Sequence, residues 1–223
     1  MSVLGFDPGR AERAFRERIG VVLQQSELWG VLTVREIHRI FAGYYARPRD
    51  VDEVVGLVGL RDKADARVKT LSGGQKRRLD LGLALVGDPD LIFLDEPTTG
   101  FDPAARRNAW ELVRSLRGLG KTVLLTTHYL DEAQQLADRV AVLREGEIVR
   151  IGAPSELTAG SRAQIRYRAG GEEVVVDTDE PTRVLHELTG RALAEGVELE
   201  ALEVRRATLE DVYLDLVAEE ESA

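Results

Sequence analysis

Cysteine is absent from this chain of 223 residues, and basic residues are outnumbered. Without cysteine the chain can form no disulfide, no thiolate metal site and no thiol nucleophile. It has 30 lysines and arginines against 39 acidic residues, so its formal net charge is −9. An acidic chain without a basic cluster is a poor candidate for nucleic-acid binding, and an anionic membrane surface would repel it. Any membrane association should therefore depend on a protein partner.

Long apolar runs and a secretory leader are lacking as well. The longest mostly apolar stretch, residues 79–87, contains Asp80 and is far too short to span a bilayer. Residues 1–5 show no basic region followed by an apolar run, so the sequence predicts no secretory signal. We expect a cytoplasmic protein.

The order of the predicted elements indicates a mainly parallel α/β sheet. Residues 19–24 predict a short buried strand, and Thr33 is placed to cap a helix that stops before Pro48. Further helices are predicted at 51–60 and 74–86. Beyond them, strands at 91–95 and 122–126 alternate with helices at 104–119 and 130–137, and residues 139–151 predict a hairpin. Alternating strands and helices are typical of a parallel sheet.

Around residues 159–161 the pattern changes to that of a small α+β extension. Strands are predicted at 165–168, 173–176 and 199–204, and helices at 182–193 and 208–217, the last capped by Thr208. The acidic end, residues 219–221, predicts a solvated tail. We therefore predict two domains, residues 1–158 and 159–223, with a helical subdomain at about 27–88 inside the first.

Two strings of residues carry most of the chemistry. Ser72, Gly73 and Gly74 open a helix, where free N–H groups and the helix dipole can receive a phosphate. Asp95 and Glu96 follow a buried strand, and α/β folds bind ligands at the carboxyl ends of such strands. Taken alone, the first string is usually a cap and turn, and the second a solvated strand end. Their succession in one chain predicts a phosphate subsite together with a site for a metal and a polarised water.

Two further polar residues follow predicted strands. His128 follows strand 122–126, and Gln24 ends strand 19–24, with Gln25 as the alternative register. A lone histidine in such a loop is more often structural than catalytic, and a glutamine there is uninformative by itself. His128 and Glu132 also suggest a metal pair, but two ligands without companions make a weak site.

These strings resemble the motifs of ATP-binding cassette (ABC) ATPases, from about residue 4 to residue 217. Residues 71–79 resemble the signature motif, 91–97 the Walker B segment, and 98–103 the D-loop, with Phe101 where leucine is commoner. Residues 126–133 resemble the switch-histidine segment, and Gln24 with residues 32–36 resembles the Q-loop. The ending at 202–213 is similar to the C-terminal extension of ATPase subunits from multidrug and daunorubicin-type exporters.

The resemblance implies a fold and a function. The fold is an α/β, P-loop NTPase-like ABC ATPase core with a helical signature subdomain and a small C-terminal α+β extension. The function is binding and hydrolysis of ATP with Mg²⁺, to power a separate membrane permease that exports drugs or small hydrophobic compounds. The implied partners are that permease and a second ATPase subunit, at the inner face of the cell membrane.

The resemblance also implies a role for each matching residue. Asp95 would hold Mg²⁺, Gln24 would sense metal and nucleotide, and Glu96 would orient or deprotonate the attacking water. His128 would contact the γ-phosphate, and Asp102 would reach across a dimer of ATPase subunits. The nucleotide held by the opposite subunit would meet the signature turn, which comprises Leu71, Ser72, Gly73, Gly74 and Gln75.

The phosphate loop that such an ATPase needs, Gly-x-x-x-x-Gly-Lys-Ser/Thr, does not occur in these 223 residues. Residues 118–122 contain Gly-Lys-Thr, but Ser115 stands where the first glycine is required. A helix also precedes a strand there, the reverse of a phosphate loop. We therefore expect an N-terminally incomplete core from a truncated gene model, with Met1 at an internal start, no autonomous hydrolysis and exposed apolar sheet faces.

Two other functions stay open at this point. The chain could be a catalytically incomplete partner whose Leu-Ser-Gly-Gly-Gln completes the ATP site of a full-length sibling. A soluble ABC ATPase of DNA repair or translation is less favoured, because the chain is acidic and ends like an exporter subunit. Residues 27–60 are expected to contact the permease, although for Phe41 a core position is favoured. The anchors would be Leu28, Trp29, Phe41, Tyr44 and Tyr45.

Overall fold

The computed structural model describes residues 1–10, 12–159, 162–169 and 171–214. The chain divides into two compact units, Met1–His128 and Tyr129–Ala223. Several predicted features fall outside the described residues: Gly160 and Ser161 at the expected domain junction, Gly170 in a turn, the end of the last helix at 215–217, and the acidic tail at 219–221. The domain boundary at 158/159 stays a prediction.

A three-stranded parallel sheet forms the centre of the first unit. Its strands lie in the order β1 (Ile19–Val22), β2 (Leu91–Asp95) and β3 (Thr122–Thr126). Because all three run in the same direction, their carboxyl ends meet at one edge. The parallel α/β sheet predicted from the sequence is thereby confirmed.

Among the described residues, five α-helices accompany this sheet: α1 (Arg13–Arg16), α2 (Val34–Ala42), α3 (Val51–Leu57), α4 (Gly73–Leu85) and α5 (Pro103–Gly118). Each of the last four begins at a side chain that accepts backbone N–H groups, namely Thr33, Asp50, Ser72 and Asp102. Two helices end earlier than predicted. α2 stops at Ala42 rather than before Pro48, and α3 stops at Leu57 because Gly59 takes a φ of +67°.

The core of this unit lies between α2, α3, α4 and one face of the sheet. Ile37, Val54, Leu79 and Ile92 are completely buried there. Gly20 of β1 allows the close approach of α4, since a Cβ at this position would lie 2.6 Å from the carbonyl oxygen of Ala84.

The opposite face of the sheet carries apolar side chains that the described residues leave exposed. Val21, Phe93 and Leu124 are in register across the three strands. Val21 is 50% exposed and Leu124 is 51% exposed. The expected exposure of an apolar sheet face is therefore observed.

The second unit is antiparallel. It contains α6 (Leu130–Leu136), the hairpin of β4 (Val140–Arg144) and β5 (Glu147–Gly152), and the short α7 (Pro154–Leu157). A second sheet has the order β7-β6-β8, formed by β6 (Ala163–Ala169), β7 (Glu172–Thr178) and β8 (Glu200–Arg205), and is joined by α8 (Pro181–Glu195). Residues 209–214 are helical. The α+β character predicted for the extension is confirmed.

Candidate functional site

The carboxyl ends of β2 and β3 bring two polar residues together. Asp95 is the last residue of β2 and is the register partner of Thr126, the last residue of β3. The Thr126 hydroxyl donates a hydrogen bond of 2.6 Å to Asp95 Oδ1. Asp95 itself is exposed, so its carboxylate is fixed in orientation and open to solvent. This is the strand edge at which the sequence predicted the site.

Glu96 leaves the sheet in an unusual backbone conformation. Its φ is +43°, in the left-handed region that non-glycine residues rarely adopt. The Glu96 N–H group is shared between the backbone carbonyl of Thr126, at 3.1 Å, and the Thr126 hydroxyl oxygen, at 3.2 Å. These bonds to β3 hold the strained turn and aim the Glu96 side chain.

Three side chains converge on one oxygen of the Glu96 carboxylate. Gln24 Nε2 donates to Glu96 Oε2 at 2.8 Å, and the Thr99 hydroxyl donates to the same oxygen at 2.9 Å. His128 Nδ1 lies 3.4 Å from it. The Glu96 side chain is 29% exposed and that of His128 is 54% exposed, so the cluster is accessible to a ligand. The structure thus unites Gln24, Glu96 and His128, which the sequence could predict only one by one.

Thr99 was missed as a site residue. It lies in the D-loop string, but nothing in its spacing indicated that its hydroxyl would turn back onto Glu96. The amide that is hydrogen-bonded to Glu96 belongs to Gln24; Gln25, the alternative register, makes no such contact among the described residues.

A metal ion alone has few ligands here. Among the described residues, no group of three or more histidine, aspartate or glutamate side chains could hold a metal, so the suggested pair of His128 and Glu132 gains no companion. Mg²⁺ takes oxygen ligands, keeps several waters and often binds through one or two carboxylates together with substrate phosphates. Asp95, with an exposed and oriented carboxylate, fits that second arrangement.

The signature turn lies at the start of α4, where Ser72 and Gly73 are exposed to solvent. Ser72 and Gln75 form a reciprocal cap, because the Ser72 hydroxyl oxygen accepts the Gln75 N–H at 3.3 Å and Gln75 Oε1 accepts the Ser72 N–H at 3.0 Å. Leu71 is buried and anchors the turn. A Cβ on Gly73 or Gly74 would meet no atom within 4 Å, so packing within this chain does not require either glycine.

Asp102 makes a local contact in this chain. Its Oδ1 accepts the N–H groups of Ala104, at 2.9 Å, and Ala105, at 2.8 Å, and so caps α5. In the part of the chain that the structure describes, neither Asp102 nor the signature turn is hydrogen-bonded to the Glu96 carboxylate.

Two side chains of α4 contact the loops that carry Gln24 and Glu96, and neither was predicted from the sequence as a site residue. The Arg77 guanidinium donates to the backbone carbonyls of Leu23, Asp95 (2.9 Å) and Pro97 (3.1 Å). Asp80 accepts the hydroxyl of Ser26 at 2.6 Å. Burial raises the pKa of the Asp80 carboxyl, although the Ser26 hydrogen bond and the Arg77 charge oppose this shift. Arg77 stood in the quoted signature string, but only the fold shows what it contacts.

Comparison with known proteins gives consistent matches. The family described as "ABC transporter" matches residues 4–99, and the family described as "ABC transporter domain-containing protein-like, C-terminal domain" matches residues 154–208. Nod factor export ATP-binding protein I of Rhizobium sp. (strain N33) is 40% identical over 246 aligned residues, which cover 99% of this chain and 79% of that protein. Daunorubicin resistance ATP-binding protein DrrA3 of Streptomyces coeruleorubidus is 39% identical, covering 99% of this chain and 78% of that protein.

Solved structures agree on the fold. A structure described as an ATP-binding subunit of an ABC transporter superposes with a TM-score of 0.65 at 19% identity, covering 97% of this chain and 75% of that one. The cbiO1 protein of Clostridium perfringens, described as part of the ABC transporter complex cbiONQ, gives a TM-score of 0.59 at 31% identity. The superposition covers 65% of this chain and 61% of the cbiO1 chain.

Proposed function

Because this chain belongs to the ATP-binding family of ABC transporters, we propose that it is the ATP-hydrolysing subunit that powers a separate exporter permease. The family and the α/β ABC ATPase fold predicted from the sequence are confirmed. Relatives named for Nod factor export and daunorubicin resistance support a cargo of drug-like or small hydrophobic compounds. The observation that carries the proposal is the convergence of Gln24, Thr99 and His128 on one Glu96 oxygen.

In the proposed reaction, water attacks the γ-phosphoryl group of ATP. Phosphoryl transfer depends mainly on positioning and on electrostatic stabilisation, which this cluster can provide. Glu96 orients or deprotonates the attacking water, and the hydrogen bonds from Gln24 and Thr99 fix its carboxylate. The exposed imidazole of His128 is placed to contact the γ-phosphate. Asp95 would hold Mg²⁺, which would neutralise charge on the phosphate oxygens when bound with ATP.

A second ATPase subunit is the proposed partner of the signature turn. Packing within this chain does not require Gly73 or Gly74. The lack of a side chain at these positions is best explained by the close approach of another molecule to the backbone there. The free N–H groups at the start of α4 favour an anion there, which the nucleotide of the opposite subunit provides. Asp102 belongs to the same proposed interface.

An exposed apolar surface of the first unit is the proposed contact with the permease. We define the permease surface as Trp29, Val31, Ile40 and Tyr44, all of which are exposed large apolar side chains. Tyr45 is turned inward, since a Cβ on Gly87 would lie 2.3 Å from its ring. Among the described residues, no helix is long and apolar enough to cross a membrane. We therefore propose a cytoplasmic subunit held at the inner face of the membrane by its permease.

ATP hydrolysis by a Glu96→Gln variant tests the catalytic proposal. We expect turnover to fall by about 100-fold or more, because an amide cannot accept a proton from water, while ATP binding persists. Release of phosphate would be measured with the purified chain alone and mixed with a sibling ATPase subunit that carries a phosphate loop. Glu111→Gln, at an exposed position of α5, is the matched control. Full activity of Glu96→Gln would contradict the role of Glu96.

A second candidate function is that of a partner subunit that does not hydrolyse ATP itself. The open signature turn favours it, since the space around Gly73 and Gly74 leaves room for the nucleotide of another subunit. This function predicts no turnover by the chain alone, turnover in the mixture, and loss of that turnover with Gly73→Asp, which blocks the approach of a phosphate. Hydrolysis by the purified chain alone would exclude it.

A further inference from the structure

Arg77 connects the signature helix to both loops of the candidate site. Its three guanidinium nitrogens each donate to a different backbone carbonyl, those of Leu23, Asp95 and Pro97. Leu23 immediately precedes Gln24, while Asp95 and Pro97 stand on either side of Glu96. A guanidinium group is planar and has donors pointing in several fixed directions, whereas the ammonium group of lysine is a single point. Arg77 therefore fixes the backbone at both ends of the hydrogen bond between Gln24 and Glu96.

Asp80 holds the Gln24 loop at its far end, beyond Gln24. It lies three residues after Arg77 on α4, so both side chains point from the same face of the helix. Its carboxylate accepts the Ser26 hydroxyl at 2.6 Å. The loop from Leu23 to Ser26 is thus attached to α4 before and after Gln24. Because burial disfavours the charge of Asp80, the contact with Ser26 is kept at some cost to overall stability.

We propose that Arg77 and Asp80, here called the α4 clamp, are positioning residues that keep Gln24 and Glu96 in contact for catalysis. The inference rests on the proposed function, since it gives the signature helix a direct connection to the water-activating site of its own subunit. A movement of α4 would be transmitted to both loops through backbone hydrogen bonds. The signature helix would then act on two sites, through its exposed turn and through its clamp.

A purely structural role makes different predictions. If Arg77 and Asp80 only satisfied the polar groups that they contact, their removal would loosen the first unit as a whole, and any loss of activity would follow from that general loosening. If they position the site, the Gln24 loop becomes mobile while the rest of the unit keeps its order. Asp80 separates the two roles best, because burial already disfavours its charge, so loss of that charge does not in itself predict a general loosening of the unit.

The absence of cysteine makes a direct test possible. Gln25→Cys introduces the sole thiol of the chain at an exposed position in the loop, and a nitroxide spin label on it reports loop mobility by electron paramagnetic resonance. We expect Arg77→Met and Asp80→Leu to increase the mobility of this label severalfold. Asp80→Asn should not, because it retains an acceptor oxygen for Ser26. Lys76→Met, at an exposed neighbouring position of α4, is the matched control.

A second label distinguishes local from general loosening. With Glu111→Cys as the sole thiol, on α5, the clamp variants should leave the spectrum unchanged. Equal mobilisation of both labels, or an unchanged label at position 25, would overturn the proposal. Both spectra are recorded without nucleotide, so a chain that never hydrolyses ATP would contradict the proposed function and not the clamp.

The second readout is the rate of ATP hydrolysis. It is measured in the preparation, either the chain alone or its mixture with a sibling subunit, whose activity falls with Glu96→Gln. Arg77→Met should lower kcat by about 10- to 100-fold, because small misplacements of catalytic groups are costly. The KM for ATP should stay within about twofold, since no clamp residue touches the nucleotide in the proposed role. Arg77→Lys should recover only part of the rate. A raised KM with an unchanged kcat would overturn the clamp.

Discussion

At the scale of single residues, Glu96 combines chemistry with backbone strain. A non-glycine residue at φ +43° costs on the order of 1–3 kcal/mol, and such residues gather at functional sites. The sequence could place Asp95 and Glu96 at a strand end, because a run of apolar residues followed by carboxylates is a local pattern. It could not predict the strain or the convergence of Gln24 and His128, since these depend on strands far apart in the chain.

His38 is a buried titratable residue outside the site. It is completely buried, and its Nδ1 lies 2.7 Å from the Val34 carbonyl oxygen, which implies that Nδ1 carries the proton. Nε2 has no hydrogen-bond partner among the described residues. It faces Gly82 of α4, where a Cβ would lie 2.4 Å from Nε2. Desolvation lowers the pKa of His38 below its usual value near 6.5, so the folded chain keeps this ring neutral.

Stability should therefore fall in mild acid. Above pH 6.5 the ring is neutral in both states, and the stabilisation is fully present. As the pH falls below 6.5 towards the lowered folded pKa, only unfolded His38 binds a proton, which costs about 1.4 kcal/mol per unit of depression. We expect His38→Leu to lose less unfolding free energy than the wild type between pH 7.5 and 5.5.

Urea unfolding followed by tryptophan fluorescence measures this pH dependence of the unfolding free energy, because Trp29 and Trp110 both lie in the first unit. His186→Leu, an exposed position of the second unit, is the control and should retain the wild-type pH dependence. An identical loss in the wild type and in His38→Leu would show that other groups cause it.

At the scale of elements, capping explains why the helix starts were predictable and the ends were not. Thr33 caps α2 as predicted, with its hydroxyl oxygen 3.2 Å from the Glu36 N–H and the Glu36 carboxylate 2.8 Å from the Thr33 N–H. Thr208 makes the same reciprocal contact with Asp211, as its position in the sequence predicted. The early ends of α2 and α3 have a weaker signal: α2 ends directly before Gly43 and α3 two residues before Gly59, and a glycine indicates a helix end without fixing which residue is the last.

Removing the cap of α2 should destabilise the first unit. We expect Thr33→Ala to lower its unfolding free energy by about 1 kcal/mol, because the Glu36 N–H loses its acceptor at the helix start. Thr33→Ser keeps the hydroxyl and should have a much smaller effect. Urea unfolding at neutral pH, followed by tryptophan fluorescence, would compare the three chains. If alanine and serine behaved alike, the hydroxyl would not be the stabilising group.

At the scale of the whole molecule, the sequence predicted the classes of the two parts better than their topology. Alternating elements indicated a parallel sheet, but its order could not be derived locally, because β1 pairs with β2 although the two strands lie about 70 residues apart in sequence (Val22 pairs with Leu94). The net charge of −9 and the apolar permease surface together determine which component of a membrane the chain should contact. The charge disfavours contact with anionic lipid, so the exposed apolar side chains should select a protein in the membrane.

The last prediction follows from that combination. Trp29 is 56% exposed and Tyr44 is 65% exposed, and buried aromatic side chains often dominate binding at interfaces. We expect Trp29→Ala to weaken binding of the purified chain to inside-out membrane vesicles by about 10-fold or more, as measured by co-sedimentation. Leu193→Ala, at an even more exposed apolar position of the second unit, should bind like the wild type. Protein-free anionic liposomes should bind neither variant nor the wild type. Wild-type binding by Trp29→Ala would remove the strongest anchor of the permease surface, and binding to the liposomes would show that lipid, rather than a permease, recruits the chain.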